Sequence, residues 1–142
     1  MDQTHKLIMT VAQNACTGLE ACDQLMARTE DEGIRRELLA ERRQYQEFVR
    51  EAEDCMSRIG GKFNRPGLMQ RAGMWMGVQM NTALDKSPQH IADIAIQGAT
   101  MGVVSMTRER RELPDADEDV QSLASRFITA QQENIDRLKE FL

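Results

Sequence analysis

The sequence predicts an all-α fold, a bundle of long helices in one domain over residues 1–142. Aromatic residues make up 4% of the chain and there are 3 prolines, whereas charged residues, Ala, Leu, Met and Gln are abundant. Apolar residues recur at spacings of three and four, which is the period of a helix. Gly, Pro and capping residues separate these stretches, and the chain is long enough for one packed core.

The most clearly defined element is a helix from Pro88 to Glu112. Ser87 is a typical N-cap, and Pro88 suits a first helical position because that position does not use its N–H. Two adjacent apolar rows give this helix a broad buried face: Ile91, Ala95, Gly98, Gly102, Ser105 and Ala92, Ile96, Ala99, Val103, Met106. Gly98 and Gly102 each cost a helix about 1 kcal/mol relative to Ala. We therefore expect another backbone to pass close to them, with this helix in the middle of the bundle.

Two long helices precede it, predicted over residues 4–28 and from the 29–32 break to residue 59. Thr29 and Glu32 have the spacing of a capping box that would begin the second of them. The break between the two helices is short, so they are expected to form an antiparallel hairpin.

The remaining helices are predicted after the longest break in the chain. Gly60 and Gly61 end the second helix, and the Asn-Arg-Pro-Gly segment at 64–67 is expected to stay non-helical, so a crossover connection would lie here. A shorter third helix is predicted over residues 68–84, and it is apolar over much of its circumference. After a second break, an Asp-capped last helix is expected over residues 118–141.

Composition narrows the range of functions. A net charge of −5 argues against nucleic acid or an anionic membrane as a partner. No apolar run approaches the roughly 20 residues of a membrane span, and the first residues do not resemble a signal peptide. Cys16, Cys22 and Cys55 are an odd set without C-x-x-C spacing, which indicates free buried thiols in a reducing compartment. We expect a cytoplasmic protein.

The third helix also predicts an interface, because it is apolar on more faces than one monomer can cover. The residues assigned to this interface are Met69, Met74, Trp75, Met76 and Met80. Methionine adapts to irregular surfaces, although plain core packing and a soft-metal site are alternatives for these side chains. We expect self-association as a homodimer through the third and central helices.

The helix order and three segments carry a family resemblance: AGMWM at 72–76, TALDK at 82–86 and QQENIDRL at 131–138. Two hairpin helices, a crossover and a second helical pair are the layout of ferritin-like bundles. The chain resembles the small, mostly uncharacterised bacterial ferritin-like proteins grouped as the domain of unknown function 2383, over nearly its whole length. The resemblance implies an up-down four-helix bundle with an additional crossover helix, and it implies no particular activity.

Di-iron chemistry in such a bundle needs a Glu from each of two helices and a Glu-x-x-His from each of two others. The chain has 2 His and no Glu-x-x-His. Glu41 with Gln44, and Gln131 with Asn134, instead have that spacing on inward rows, and neutral amides are poor metal ligands. We expect a core polar cluster that is a degenerate metal site, without metal or cofactor. A simpler interpretation pairs Glu41 with Arg137.

These observations predict a non-enzymatic binding or scaffold protein that self-associates, with no catalytic residues. The cysteines have no positioned base, and the two adjacent glycines at 60–61 do not open a helix as a phosphate loop would. The alternative is a di-metal oxidase or metal-storage protein for iron or manganese. It would use Glu41, Gln131, Asn134 and further carboxylates as an atypical ligand set.

Overall fold

The computed structural model describes residues 2–80 and 85–142, with side chains described for 2–74 and 85–142. These residues form helices and no strands, which confirms the all-α prediction. The helices are α1 (Gln3–Met26), α2 (Glu32–Arg58), α3 (Arg65–Met80), α4 (Pro88–Glu112) and α5 (Glu118–Leu138), followed by a short 3-10 helix at Lys139–Phe141. Among the described helices, none is both long and apolar enough to cross a lipid bilayer.

Side-chain caps set the starts of α1 to α4, whereas the predicted Asp cap of α5 is wrong, because the Asp117 side chain makes no capping hydrogen bond. Ser87 caps α4 as predicted, and its Oγ accepts a hydrogen bond from the N–H of His90 at 3.3 Å. The predicted capping box of α2 is wrong, because the cap is Asp31, whose Oδ2 accepts from Ile34 N–H at 3.0 Å. Thr29 instead accepts from the N–H of Asp31 at 3.2 Å. A carboxylate at the N-cap also suits the positive end of the helix dipole.

Residues 65–67 are helical, contrary to the prediction that 64–67 stay non-helical. Asn64 accepts a hydrogen bond from the N–H of Gly67 at 3.1 Å, so it acts as a cap, and α3 begins at Arg65. Pro66 is compatible with this start, because the N–H groups of a first helical turn have no partner within the helix.

Contacts at the helix ends fix the direction of the helices. The N–H of Asp117 donates to Thr4 Oγ1 at 2.9 Å, which brings the start of α5 to the start of α1. Arg58, the last residue of α2, pairs with Asp119 at 3.0 Å. Helices α1 and α5 therefore run in one direction, and α2 and α4 run in the other. Around the core, α1, α2, α5 and α4 pack each against the next.

Helix α3 carries the crossover between the two antiparallel pairs. It packs on α1 and runs parallel to it, because Gln13 donates to the carbonyl of Leu68 at 3.1 Å while Gly73 lies farther along, beside Glu20. The chain thus returns from the end of α2 toward the start of α4 on the outer side of α1.

The centre of the fold is α1, which contacts all four of the other α-helices. The prediction that α4 occupies the middle is wrong, since Met101 and Val104 on α4 are 51% and 48% exposed. The close neighbours of Gly102 are side chains rather than backbone. A Cβ at Gly102 would lie 3.3 Å from Gln131 Nε2 and 3.6 Å from Phe127 Cε1. Small residues on α4 therefore make room for the polar side chains of the interior.

Candidate functional site

A cavity of about 390 Å³ lies between α1 and α4, with α2 and α5 on its inner side. Much of its described wall is apolar: Ala21, Leu25, Leu38, Ile94, Ala95, Ala99. Its polar lining includes Glu41, Tyr45 and Gln131, and Arg71 and Met101 are exposed residues of the wall. Apolar walls with a few converging polar groups are typical of small-molecule sites.

Small side chains keep this space open. Gly18 and Ala21 on α1 line it opposite Ala95, Gly98 and Gly102 on α4. Protein interiors rarely leave voids larger than a water molecule, and a leucine at any of these positions would occupy part of the gap. The glycines that the sequence assigned to a close backbone contact therefore line a cavity.

Tyr45 is held rigidly at the inner wall of the cavity. A Cβ at Gly18 would come within 2.6 Å of the Tyr45 ring, so only glycine leaves the ring its space. The ring packs against Phe127 with centroids 6.2 Å apart. The Tyr45 hydroxyl donates to Gln131 Oε1 at 2.7 Å. Because that proton is used and the Asn134 side chain is a second hydrogen-bond neighbour, one lone pair of the hydroxyl oxygen remains as an acceptor.

Glu41 is the buried carboxyl group of the cavity, with 3% of its surface exposed. Burial, a hydrogen bond with Glu37 and the negative charge of Glu37 raise the pKa of Glu41 from 4.5 to about 10, and Arg137 opposes this rise. Its Oε2 is buried without a hydrogen-bond partner among the described residues. Glu41 is therefore an uncharged acid at neutral pH, with one oxygen unsatisfied.

A hydrogen-bonded chain joins the cavity to the surface along α2 and α5. Arg137 Nε donates to Glu37 Oε1 at 3.1 Å and its Nη2 donates to Asn134 Oδ1. Asn134 Nδ2 in turn donates to Gln131 Oε1 at 3.5 Å. The predicted pairing of Glu41 with Arg137 is wrong. Glu37 takes the guanidinium because it lies one turn nearer the end of the bundle, where a charged carboxylate loses less hydration.

The structure brings three of the four predicted cluster residues into the interior. Glu41, Gln131 and Asn134 are 3%, 3% and 0% exposed, and the first two line the cavity. Gln44 is half-buried and lies outside the cavity lining, although its Oε1 is buried without a partner among the described residues.

Sequence reasoning missed Glu37, Tyr45 and Asn14. Glu37, Glu41 and Tyr45 lie four residues apart on α2, so an i,i+4 row of hydrogen-bonding groups was the available signal. Asn14, a further lining residue, donates to Thr10 O at 2.9 Å and to Ser105 Oγ at 3.3 Å. Nothing in the sequence pattern singles out Asn14, because its role depends on the register between α1 and α4.

The described part of the site contains few groups that could ligate a metal ion or act as a nucleophile. In residues 2–74 and 85–142, no group of three His, Cys, Asp or Glu side chains is arranged to hold a metal ion. Cys22 lines the cavity, but burial raises its pKa well above the ordinary thiol value. It is therefore a neutral thiol and a weak nucleophile.

Of the five predicted interface residues, two have side chains that the structure describes. Met69 packs partly buried against the core, and Met74 is 67% exposed. The side chains of Trp75, Met76 and Met80 lie outside the described residues.

Comparison of the chain with protein-family models, curated proteins and solved structures finds no match.

Proposed function

We propose that this protein is a non-enzymatic binding protein whose helical bundle holds a small, mainly apolar molecule. The observation that carries the proposal is the cavity of about 390 Å³, with apolar walls and a polar group of Glu41, Tyr45 and Gln131. Ligand pockets of roughly 300–1,000 Å³ commonly combine such walls with a few orienting polar groups.

The path of the chain supports placing it among ferritin-like bundles. Two antiparallel pairs, α1 with α2 and α4 with α5, are joined by one long connection that contains α3. A single long crossover is the connectivity of ferritin-like folds. This agrees with the resemblance to the small bacterial ferritin-like group, for which we propose membership.

The groups at the cavity favour binding over catalysis. Glu41 is uncharged and Cys22 is a neutral thiol, so neither is prepared to act as a base or nucleophile at neutral pH. A di-metal oxidase would need several carboxylates and imidazoles around two ions. We expect well below one equivalent of iron or manganese per chain in elemental analysis of protein purified without chelator. About two equivalents would favour the oxidase instead.

A fluorescent apolar probe tests the proposal. N-phenylnaphthylamine should bind saturably, with one site per chain. The substitution Ala95→Leu fills part of the cavity and should weaken binding at least tenfold, about 1.4 kcal/mol. The matched control is Ala40→Leu, which adds the same side chain to an exposed position of α2 and should leave binding unchanged. Equal binding to both variants would place the probe elsewhere and refute the proposal.

We also propose that the chain forms a homodimer through α3 and α4. Support comes from apolar side chains on these helices that are exposed to solvent: Met74 is 67% exposed, Met101 51% and Val104 48%. Light scattering after size exclusion should give twice the chain mass. Val104→Lys should yield monomer, whereas Leu39→Lys, at an apolar position of α2 that is 41% exposed, should not. A monomeric wild type at micromolar concentration would refute the dimer.

The three cysteines are free and buried, and the net charge is −5. These properties support a reducing compartment, which we propose is the cytoplasm, and a partner other than nucleic acid.

A further inference from the structure

Near the cavity the interior contains more acids than bases. Glu37 and Glu41 face a single guanidinium, that of Arg137. Arg137 is already engaged, since its Nε lies 3.1 and 3.2 Å from the two carboxylate oxygens of Glu37 and its Nη2 contacts Asn134. Glu41 is therefore the acid without a cation of its own, and burial together with the neighbouring Glu37 raises its pKa so that it keeps its proton.

The charged and titratable groups on the other packed helices do not supply that cation. From α1, Cys22 is neutral and Asp23 is paired with Arg42 at 2.6 Å. From α3, Arg71 stands at the exposed rim, where its Nε donates to Gln13 Oε1 at 2.9 Å. The described lining contributed by α4 contains no titratable side chain, and that of α5 consists of an amide, Gln131.

We propose that the cavity binds an amphipathic amine, with its apolar chain against the α1 and α4 walls and its ammonium group on Glu41 Oε2. This inference rests on the proposed binding function of the cavity. Glu41 is 97% buried and lines the cavity, and its enclosed Oε2 has no hydrogen-bond partner among the described residues, so this carboxyl at the cavity wall has an acceptor that no described group uses.

Two lining groups can accept hydrogen bonds from an ammonium group, the Glu41 carboxyl and the Tyr45 hydroxyl oxygen. The donors of the lining lie elsewhere, with Gln131 Nε2 beside Gly102 and Arg71 at the exposed rim. The Tyr45 hydroxyl donates a hydrogen bond to Gln131 and also has the Asn134 side chain as a hydrogen-bond neighbour, which leaves its oxygen one lone pair to accept from a ligand. An ammonium group carries three donors, and hydrogen bonds between charged partners are about twice as strong as neutral ones. A fatty acid would instead bring a second negative group next to Glu41 and Glu37. An alcohol has a single proton to donate.

Binding exchanges a proton for the ammonium group. The amine enters as a cation, the O–H bond of Glu41 breaks, and the proton passes to the solvent buffer. Two carboxylates then face two cations, Arg137 and the ligand. Because the complex holds one proton fewer, a rise in pH favours binding. The affinity should increase by up to about tenfold per pH unit in the range where the free protein keeps Glu41 protonated.

Three ligands of equal chain length test the head group: octylamine, octanol and octanoate, titrated calorimetrically at neutral pH. Octylamine should bind at least tenfold more tightly than octanol, and octanoate should be the weakest. In Glu41→Gln the preference of octylamine over octanol should fall below about threefold. The matched control, Glu30→Gln, removes an exposed charge and should retain the full preference.

Proton release gives a second readout that needs no variant. Titrations in two buffers of different ionisation enthalpy should show about one proton released per octylamine and none per octanol. Octanol binding as tightly as octylamine, or octylamine binding without proton release, would overturn this inference while the binding function stands. Failure of all three ligands and of N-phenylnaphthylamine to bind would overturn the binding function itself.

Discussion

The two halves of the bundle are built from the same helices but are filled differently. In the packed half, where α1 and α5 begin, large apolar side chains fill the interior: Leu7, Ile8, Met56, Met106, Leu123. In the cavity half, where α1 and α5 end, glycines and alanines of α1 and α4 face the polar groups of α2 and α5. Side-chain volume along the helices, rather than their path, therefore decides which half is a solid core and which half has space for a ligand.

The largest expected effect comes from replacing one leucine by alanine in each half and comparing the loss of stability. Leu123 in the packed half and Leu38 in the cavity half are each 1% exposed. Leu123→Ala should lower the free energy of unfolding by about 4 kcal/mol, because close neighbours are lost on all sides. Leu38→Ala should cost only about 2 kcal/mol, since the Leu38 side chain borders empty space. Urea unfolding measures both values, and equal losses would mean that the cavity half is packed as tightly as the other.

The next largest effect is the loss of stability when the space that Gly18 leaves for the Tyr45 ring is filled. Gly18→Ala should destabilise the protein by about 2–3 kcal/mol, because the new methyl group would lie 2.6 Å from a buried ring. The control is Gly73→Ala on α3, whose Cβ would be 3.6 Å from Glu20 Oε1, an ordinary contact. That change should stabilise the protein by up to about 1 kcal/mol through helix propensity. Thermal unfolding of both variants is decisive, and a stable Gly18→Ala would show that the ring can move.

Glu41 should make the cavity half sensitive to pH. Its pKa in the folded state, about 10, lies above the ordinary value of 4.5, so the folded protein binds more protons than the unfolded chain between these limits. The stability contributed by this group is therefore complete below pH 4.5 and is lost as the pH rises, by at most about 1.4 kcal/mol per unit.

Glu41→Gln removes this penalty, since an amide resembles the uncharged acid in shape and can donate to Glu37. The variant should be more stable than the wild type by about 2 kcal/mol at pH 7, and the difference should vanish near pH 4. Urea unfolding across that range measures it. A gain independent of pH, or a loss at pH 7, would show that Glu41 is ionised in the native protein.

The sequence was a good guide to the helices and to which residues face inward. The 3.6-residue period placed α4 at its observed bounds and put Glu41, Gln131 and Asn134 inside, because both properties depend on one helix at a time. The cavity depends on how Gly18 of α1 is aligned with its counterparts on α4. The register between helices is set by packing of the whole core, so no single-helix pattern encodes it.

The same limit explains the wrong partner for Arg137. Glu37 and Glu41 lie one turn apart on α2, and both are within reach of an arginine on α5 in a helical projection. The difference between them is hydration, since Glu37 lies nearer the end of the bundle and keeps 12% of its side chain exposed. Depth along the axis of the bundle decides the pairing, and depth is a property of the assembled helices.

The smallest expected effect is the change in stability when a polar group of the cavity half is removed, which shows whether such groups stabilise the fold. Tyr45→Phe removes the hydroxyl that donates to Gln131 at 2.7 Å and leaves the ring packed against Phe127. We expect a loss of about 1 kcal/mol, the usual net value of one buried hydrogen bond. Asn134 still donates to Gln131 Oε1 at 3.5 Å, which keeps the loss small.

Phe48→Tyr is the informative counterpart, because it adds a hydroxyl to a ring that packs edge-to-face against Phe127, with centroids 5.1 Å apart. Phe48 is 8% exposed and lies outside the cavity lining, so the added hydroxyl has no prepared acceptor, and this variant should also lose stability. If Tyr45→Phe were instead more stable than the wild type, the hydroxyl would be present at a cost to folding. The acceptor oxygen of the Tyr45 hydroxyl would then serve ligand binding rather than folding, as polar groups at binding sites commonly do.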